Sequence, residues 1–304
     1  MKPDTKAVPE FPVIRPIELQ DKELLSGFFK EYPPLISEFT FSNLFAWRHA
    51  YNFNISKADD HLLVISLKDD AFHALDPLGP LDTKKNTIRK CFSVVRGSKR
   101  LEFIRLPEKT AELFKKTDGL RLSEDRDNFD YVYLRQDLSG LKGKDFDGKR
   151  NFIKRFKDNH TFMYKKLLED DVKECVVFQD EWCLAKDCQH TQGLSKEKQA
   201  MREMLNNFEY LGMQGGMIEI GGKVEALALG EELNPATFVV HIEKANGSFI
   251  GIYQAINQIF CDKEAAGYKY VNREQDLGVP GLRQAKESYH PRHMVKKYTL
   301  SLVH

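Results

Sequence analysis

The residues best equipped for chemistry lie near the C-terminus, in NREQDLGVPGLRQAKESYHP, Asn272 to Pro291. Glu274 and Asp276 stand just past a strand end, where a carboxylate can orient a substrate ammonium or take a proton. Val279-Pro280-Gly281 turns the chain. Arg283 and Lys286, one helical turn apart, then share a face that can hold a phosphate or a developing oxyanion, with Tyr289 beside them. Asn272 and Gly281 flank the turn and complete it as a binding loop. The structural alternative for each acid is an ion pair with Arg273 or Arg283 that merely fixes the turn.

A second cationic group, Lys149-Arg150-Asn151, opens a helix whose next basic pair is Lys154-Arg155. Lys142 to Lys166 holds nine Lys or Arg against three Asp, and Arg283 to Lys297 holds five basic residues against one acid. On a chain of formal net charge +1, two such patches imply a local anionic ligand such as phosphate rather than a general polyanion coat. The plain alternative is a solvated helix face. Cations near a helix start oppose the macrodipole, a small cost that favours a functional reason for Lys149 and Arg150. Glu219 is a further candidate base, its alternative being an ordinary solvent-facing strand position. Cys183, Cys188 and His190 lack the CxxC spacing of a metal site, and none is expected. The five cysteines, at irregular spacing, read as thiols.

At 304 residues with 41% hydrophobic content, the chain can bury a sizeable core, and its length suggests about two domains. No apolar run nears the roughly 20 residues of a membrane span, and the N-terminus lacks the apolar core of a signal peptide. A cytoplasmic location with no integral membrane segment is the expectation; the oligomeric state is left open.

The elements that must position these residues follow from periodicity. Met217–Ile220, a Gly221-Gly222 turn and Val224–Leu229 form a hairpin, and Thr237–Glu243 adds a third strand. Ile252, Ile256, Ile259 and Phe260 mark one stripe of a helix beginning near Ser248; a strand at Tyr268–Asn272, a helix at Gly281–Tyr289 and a strand at Tyr298–Leu302 follow. The first half repeats this order: strands at Asn52–Ser56, Leu62–Leu67 and Phe72–Leu75, a helix over Thr83–Val95, a strand at Leu101–Leu106, a helix over Pro107–Thr117 and a strand at Leu120–Ser123. Two helical stretches precede each series. A meander followed by strand, helix and strand makes a mixed sheet with one parallel pair across a right-handed crossover.

That outline resembles the GNAT acyltransferase fold, whose fourth and fifth strands splay to admit an acyl donor. The expected fold class is α+β, with two tandem GNAT-like domains, each a mixed, mostly antiparallel sheet flanked by helices, at 1–128 and 129–304. The resemblance puts a wedge between Thr237–Glu243 and Tyr268–Asn272. His241 would line it or pack behind it, and Ser248 and Tyr253 would offer the helix start to donor phosphates. The glycine-rich run usual there in acyl-CoA-binding members is replaced by NGSFIGIYQAIN.

FTFSNLFAWRHAY, DYVYLRQDLSGLKGKDFDGKRNFIKRF, HIEKANGSFIGIYQAIN and NREQDLGVPGLRQAKESYHPRHMVKKY together resemble the family of phosphatidylglycerol lysyltransferase C-terminal domains, itself similar to the FemABX peptidyltransferases. The resemblance implies an acyltransferase that moves an aminoacyl group from aminoacyl-tRNA, or an acyl group from acyl-CoA, to an amine or hydroxyl. The donor would be a co-substrate, with no tightly bound cofactor. Lys286 would match the late basic position near the donor phosphates, and Lys149, Arg150 and Asn151 a basic motif that could meet tRNA. The alternative is a ligand- or RNA-binding protein that keeps the fold without the chemistry.

Overall fold

A computed structural model describes residues 5, 7–191 and 193–303. The chain divides into two compact units. One comprises the residues up to Asp130, Gln275–Val279 and the residues from Met294 onward; the other comprises Tyr131–Glu274 and Pro280–His293.

The first unit begins with β1 (Arg15–Pro16), α1 (Lys22–Glu31) and α2 (Phe41–Tyr51). Thr40 caps α2 by accepting a hydrogen bond from the Asn43 amide at 3.1 Å, and Asn52, at φ 50°, ends it. The meander is β2 (Phe53–Ala58), β3 (His61–Lys68) and β4 (Ala71–Ala74), and α3 (Leu81–Val95) carries the chain to β5 (Arg100–Pro107), which pairs parallel with β4. Ile88, Cys91, Phe92 and Val95 fall on one face of α3 and pack with Leu63, Phe72 and Phe103 in the core. The helix expected over Pro107–Thr117 shortens to α4 (Glu108–Glu112), and β6 (Leu120–Glu124) follows.

The second unit runs through β7 (Asp130–Leu134), α5 (Arg135–Gly140), α6 (Asp147–Asn159), β8 (Phe162–Lys166), α7 (Val172–Ala185), α8 (Leu194–Asn206) and α9 (Phe208–Leu211). Its meander is β9 (Gln214–Ile220), β10 (Lys223–Asn234) and β11 (Thr237–Ala245); then come α10 (Ile252–Lys263), β12 (Tyr270–Asn272), α11 (Pro280–Glu287) and β13 (His293–Val295). Gly221 and Gly222, both at positive φ, make the two-residue β9–β10 turn as expected. Ile252, Ile256 and Phe260 of α10 are buried on one stripe.

The final strand, β14 (Lys297–Leu302), changes the expected partition. It lies between β5 and β6, so the first sheet has the order β1-β2-β3-β4-β5-β14-β6, and the second has β13-β7-β12-β11-β10-β9-β8. The division expected at 128/129, with everything after it in one domain, is therefore corrected. β7 fills the place beside β12 that the last strand was expected to take, and β14 completes the first sheet. The physical reason is local to the first unit: Leu300 is buried in its core, and the fully buried Lys297 bonds Glu38 at 2.6 Å and Asp130 at 2.6 Å. Alternation marks a strand but not its partner.

The thiol reading is corrected for two cysteines. Cys183 and Cys188 form a disulfide, their Cα atoms 5.0 Å apart, where the end of α7 folds back and the Cys188 amide donates to the Cys183 carbonyl at 3.0 Å. Cys91, Cys175 and Cys261 are free and buried. Among the described residues no helix is long and apolar enough to cross a membrane.

Candidate active site

In the second unit β11 and β12 pair only through Thr237↔Tyr270, Phe238↔Val271 and Val239↔Asn272. β11 runs on to Ala245, while the chain after β12 stays with β7: the Arg273 amide donates to Tyr131 O at 2.9 Å, and the Tyr131 amide to Glu274 O at 3.1 Å. The two strands therefore part after three residue pairs, as the wedge reading expects. His241 and Glu243, two apart on β11, share a face. Each is tied across the gap, Glu243 to Arg273 at 2.9 Å and His241 Nδ1 to Glu274 at 2.7 Å. Consecutive residues of a regular strand point to opposite faces. Here Glu274 has φ 58° and its amide donates to Asn272 Oδ1 at 2.8 Å, a local turn that lets both side chains reach β11.

His241 is held from both sides, its Nε2 lying 3.0 Å from Glu231 on β10, with 1% of its side chain exposed. Burial alone would lower its pKa. The hydrogen bonds to Glu231 and Glu274 more than reverse this and raise it to about 9. His241 is thus an imidazolium at neutral pH between two carboxylates.

Arg273 is the centre of the wedge. Its guanidinium carbon lies 4.8 Å from the Tyr289 ring centre and 5.7 Å from that of Tyr133, and Nη1 is buried without a hydrogen-bond partner. Asn257 of α10, 1% exposed, donates from Nδ2 to the second Glu243 oxygen at 2.7 Å, and its Oδ1 is also buried without a partner. Glu243 is thereby fixed from two sides, which leaves Arg273 one bound amino group and one free. Lys149, at the start of α6, places Nζ 4.2 Å from the same Tyr289 ring and 2.6 Å from Ser288 Oγ. Burial, and then the neighbouring charge of Arg273, lower the Lys149 pKa. Burial raises the pKa values of Tyr133 and Tyr289, so both phenols stay protonated. Lys286 Nζ donates to the Arg273 carbonyl and lies 5.9 Å from the Tyr131 ring centre, while the Tyr133 hydroxyl donates to Lys286 O at 2.8 Å.

Lys286, Tyr289, Lys149, Asn272 and His241 are thus brought together around the wedge. Other expectations are corrected. Glu274 is no free base, being paired to a charged histidine. Asp276, in the first unit and fully buried, bonds Arg126 at 3.1 Å and accepts from the Gly278 amide at 2.8 Å, so it fixes the turn. Glu219 sits on β9, which β10 separates from β11; it is 7% exposed rather than solvent-facing and pairs with Lys165 at 2.6 Å. Arg150 caps its own loop through Leu141 O, Gly143 O at 2.7 Å and Asp147. Asn151 is exposed on α6. Ser248 closes a local turn by donating to Asn246 Oδ1 at 2.8 Å. The Tyr253 hydroxyl accepts from Trp182 Nε1 at 3.3 Å, on the α7 side. Gly281 has open space where a Cβ would go, so nothing there demands glycine. Arg283 is partly exposed one turn before Lys286.

Sequence reasoning missed Arg273, Glu243, Asn257 and Tyr133 as site residues. Arg273 was visible as the cation just after β12, and Tyr133 as the fourth residue of DYVYL, but neither pattern nor charge reveals which strand lies across the gap. The helix start expected near Ser248 is also revised. α10 begins at Ile252 after Gly251, at φ 94°, where a Cβ would stand 2.1 Å from the Phe152 carbonyl oxygen of α6. The close approach needs glycine and packs α6 against the start of α10.

A doubled α+β scaffold with a parallel pair in each sheet, and a splayed, cation-lined wedge in the second, defines the tandem GNAT-like class. The comparisons agree. The chain matches the family model "Phosphatidylglycerol lysyltransferase, C-terminal" over residues 29–301 and belongs to that family of acyl and aminoacyl transferases. It is similar to a solved conserved protein of unknown function from Bacteroides thetaiotaomicron, with 33% identity, a TM-score of 0.89, and coverage of 95% of this chain and 99% of that one. It shares its fold with L-PGS from Bacillus licheniformis (15% identity, TM-score 0.65, 93% and 92% covered) and with FemX (7% identity, TM-score 0.61, 96% and 97% covered). No curated protein sequence matches the chain.

Proposed function

We propose that the wedge of the second unit transfers an aminoacyl group from an ester on the 3′ end of a tRNA to an amine or hydroxyl. The observation that carries this reading is the unpartnered, buried Nη1 of Arg273, in a charge set where the other amino group is occupied by Glu243. A buried donor left free costs roughly 1–3 kcal/mol unless a ligand uses it. A carbonyl oxygen that becomes an oxyanion during acyl transfer is such a ligand. Lys149, its ammonium disfavoured by burial and by Arg273, is the group that takes the nucleophile's proton; the Tyr289 phenol, kept protonated, returns one to the departing oxygen. Lys286 lies against the Arg273 backbone, where it can meet the donor's terminal phosphate.

The donor is read as aminoacyl-tRNA rather than acyl-CoA because α6 packs over the start of α10, where a coenzyme pyrophosphate would need free amides. Thermal-shift measurements separate the two. A non-hydrolysable aminoacyl-nucleotide mimic should raise the melting temperature and coenzyme A should leave it unchanged; stabilisation by coenzyme A alone would overturn the choice of donor.

A further inference from the structure

Helix α11 is seated unlike its neighbours. None of its residues is buried, whereas Ile252, Ile256 and Phe260 set α10 into the core and Ile153 and Phe156 do the same for α6. A helix of eight residues is marginal without such packing. Polar bonds fasten it: the Tyr133 hydroxyl donates to Lys286 O at 2.8 Å, Lys149 Nζ to Ser288 Oγ at 2.6 Å, and Lys286 Nζ to the Arg273 carbonyl. Val279 and Leu282, at its leading end, are exposed. The chain is pinned on both sides of it. Before the helix the Gly278 amide donates to Asp276 Oδ1 at 2.8 Å, and after it the Arg292 amide donates to Val132 O of β7 at 2.7 Å. Gly278, at φ 73°, and His290, at φ 53°, turn the backbone at the two ends.

The two unpartnered atoms of the wedge, Arg273 Nη1 and Asn257 Oδ1, are shut off from solvent. Tyr289, two residues past α11 and itself buried, stands over Arg273 with its ring centre 4.8 Å from the guanidinium carbon. A carbonyl oxygen cannot reach Nη1 unless something moves. Around Arg273, β7, β11 and β12 belong to the sheet and α10 to its core, so the segment least held is the one that carries Tyr289. The functional groups divide accordingly. Lys149, Asn257 and Arg273 stand on seated elements, whereas Lys286 and Tyr289 travel with α11. Raised, the helix uncovers the two orphaned atoms; lowered, it brings the Tyr289 phenol and the Lys286 ammonium to the ester and keeps out water, which would compete as acceptor.

We infer that α11 and Tyr289 form a lid over the wedge, which lifts to admit the acyl ester and closes to complete the site. What the lid admits rests on the transferase reading above; its movement does not. The test is amide hydrogen exchange on the full chain, in wild type, Tyr133→Phe and Ser288→Ala, each variant lacking one of the fastening bonds. In wild type the amides of residues 283–289 should exchange faster than those of α10, through an opening that low urea does not accelerate. Each variant should speed that whole stretch evenly, by about fivefold for one lost hydrogen bond, and leave α10 unchanged. A non-hydrolysable aminoacyl-nucleotide mimic should slow the same amides by about tenfold or more. Amides of 283–289 that exchange only together with α10 in a urea-dependent step would overturn the lid. So would exchange graded from one end of the helix, which is fraying, or a mimic that raises the melting temperature yet leaves these amides untouched. If the mimic does not bind while the stretch still opens as a unit and answers to both variants, the transferase reading fails and the moving lid stands.

Discussion

Arg273 and Glu243 meet at 2.9 Å across the gap where β12 leaves β11, and this pair bridges the wedge while leaving Nη1 free to donate. Removing the cation strands a carboxylate that, among the described residues, the Asn257 amide alone still bonds. Arg273→Met should therefore cost about 3–5 kcal/mol of stability, and Arg273→Met/Glu243→Gln should recover part of it, because a neutral amide tolerates burial better. Chemical denaturation of the four proteins of the cycle measures this. Additive losses would mean that the pair is not coupled.

His241 makes stability depend on pH. Its folded pKa, about 9, stands above the ordinary 6.5, so the contribution is fully present below about pH 6.5 and is lost as pH rises through 9. The loss should be on the order of 3 kcal/mol. Melting temperatures between pH 6 and 10 should show a decline that His241→Gln removes. A variant with the same slope as wild type would assign the decline to other groups.

Lys149 should leave its mark on the pH dependence of rate. Burial and the Arg273 charge lower its pKa, so the limb on which the rate climbs with pH should lie below the ordinary lysine range. Lys149→Arg keeps the charge and cannot give up its proton at accessible pH. The limb should disappear in that variant, while its melting temperature stays near that of wild type; a limb kept in Lys149→Arg would assign the base to another group.

The first unit holds an independent buried network. Lys297 stands between Glu38 and Asp130, which its charge holds together, and the side chains of Lys297 and Asp130 are both 0% exposed. Burial pushes the Asp130 pKa up; for Glu38 burial is outweighed by Lys297 and Arg105, and its pKa falls. Lys297→Met would leave the two carboxylates facing one another and should cost about 3–5 kcal/mol near neutral pH. In the variant both acids should bind protons more readily folded than unfolded, so stability should recover as pH falls. Urea denaturation at pH 5 and 7.5 reads this directly.

Much of the scaffold was legible because its signals are local. The Gly221-Gly222 hairpin, the Ile252-Ile256-Phe260 stripe and the parallel crossover between β11 and β12 all follow from period and turn chemistry. What was hidden is long-range. Tyr298, Leu300 and Leu302 announce a strand, but only the Lys297 pairing and the Leu300 core contacts say that it belongs with β5 and β6. The same limit applied to the site. Glu274 looked like a base because its partner His241 lies 33 residues away in sequence, and Arg273 looked like a turn-fixing cation because nothing in the chain around it names Glu243.

The most direct measurement of the central claim is the single-turnover loss of a labelled aminoacyl group from aminoacylated RNA to added hydroxylamine, an acceptor amine, compared between wild type and Arg273→Lys. Lysine keeps the charge opposite Glu243 but cannot supply the second amino group. Wild type should accelerate the loss, and the variant should be slower by about 10²-fold while melting within a few degrees of wild type. Equal rates in the two proteins, or no acceleration by a folded wild type, would contradict the account.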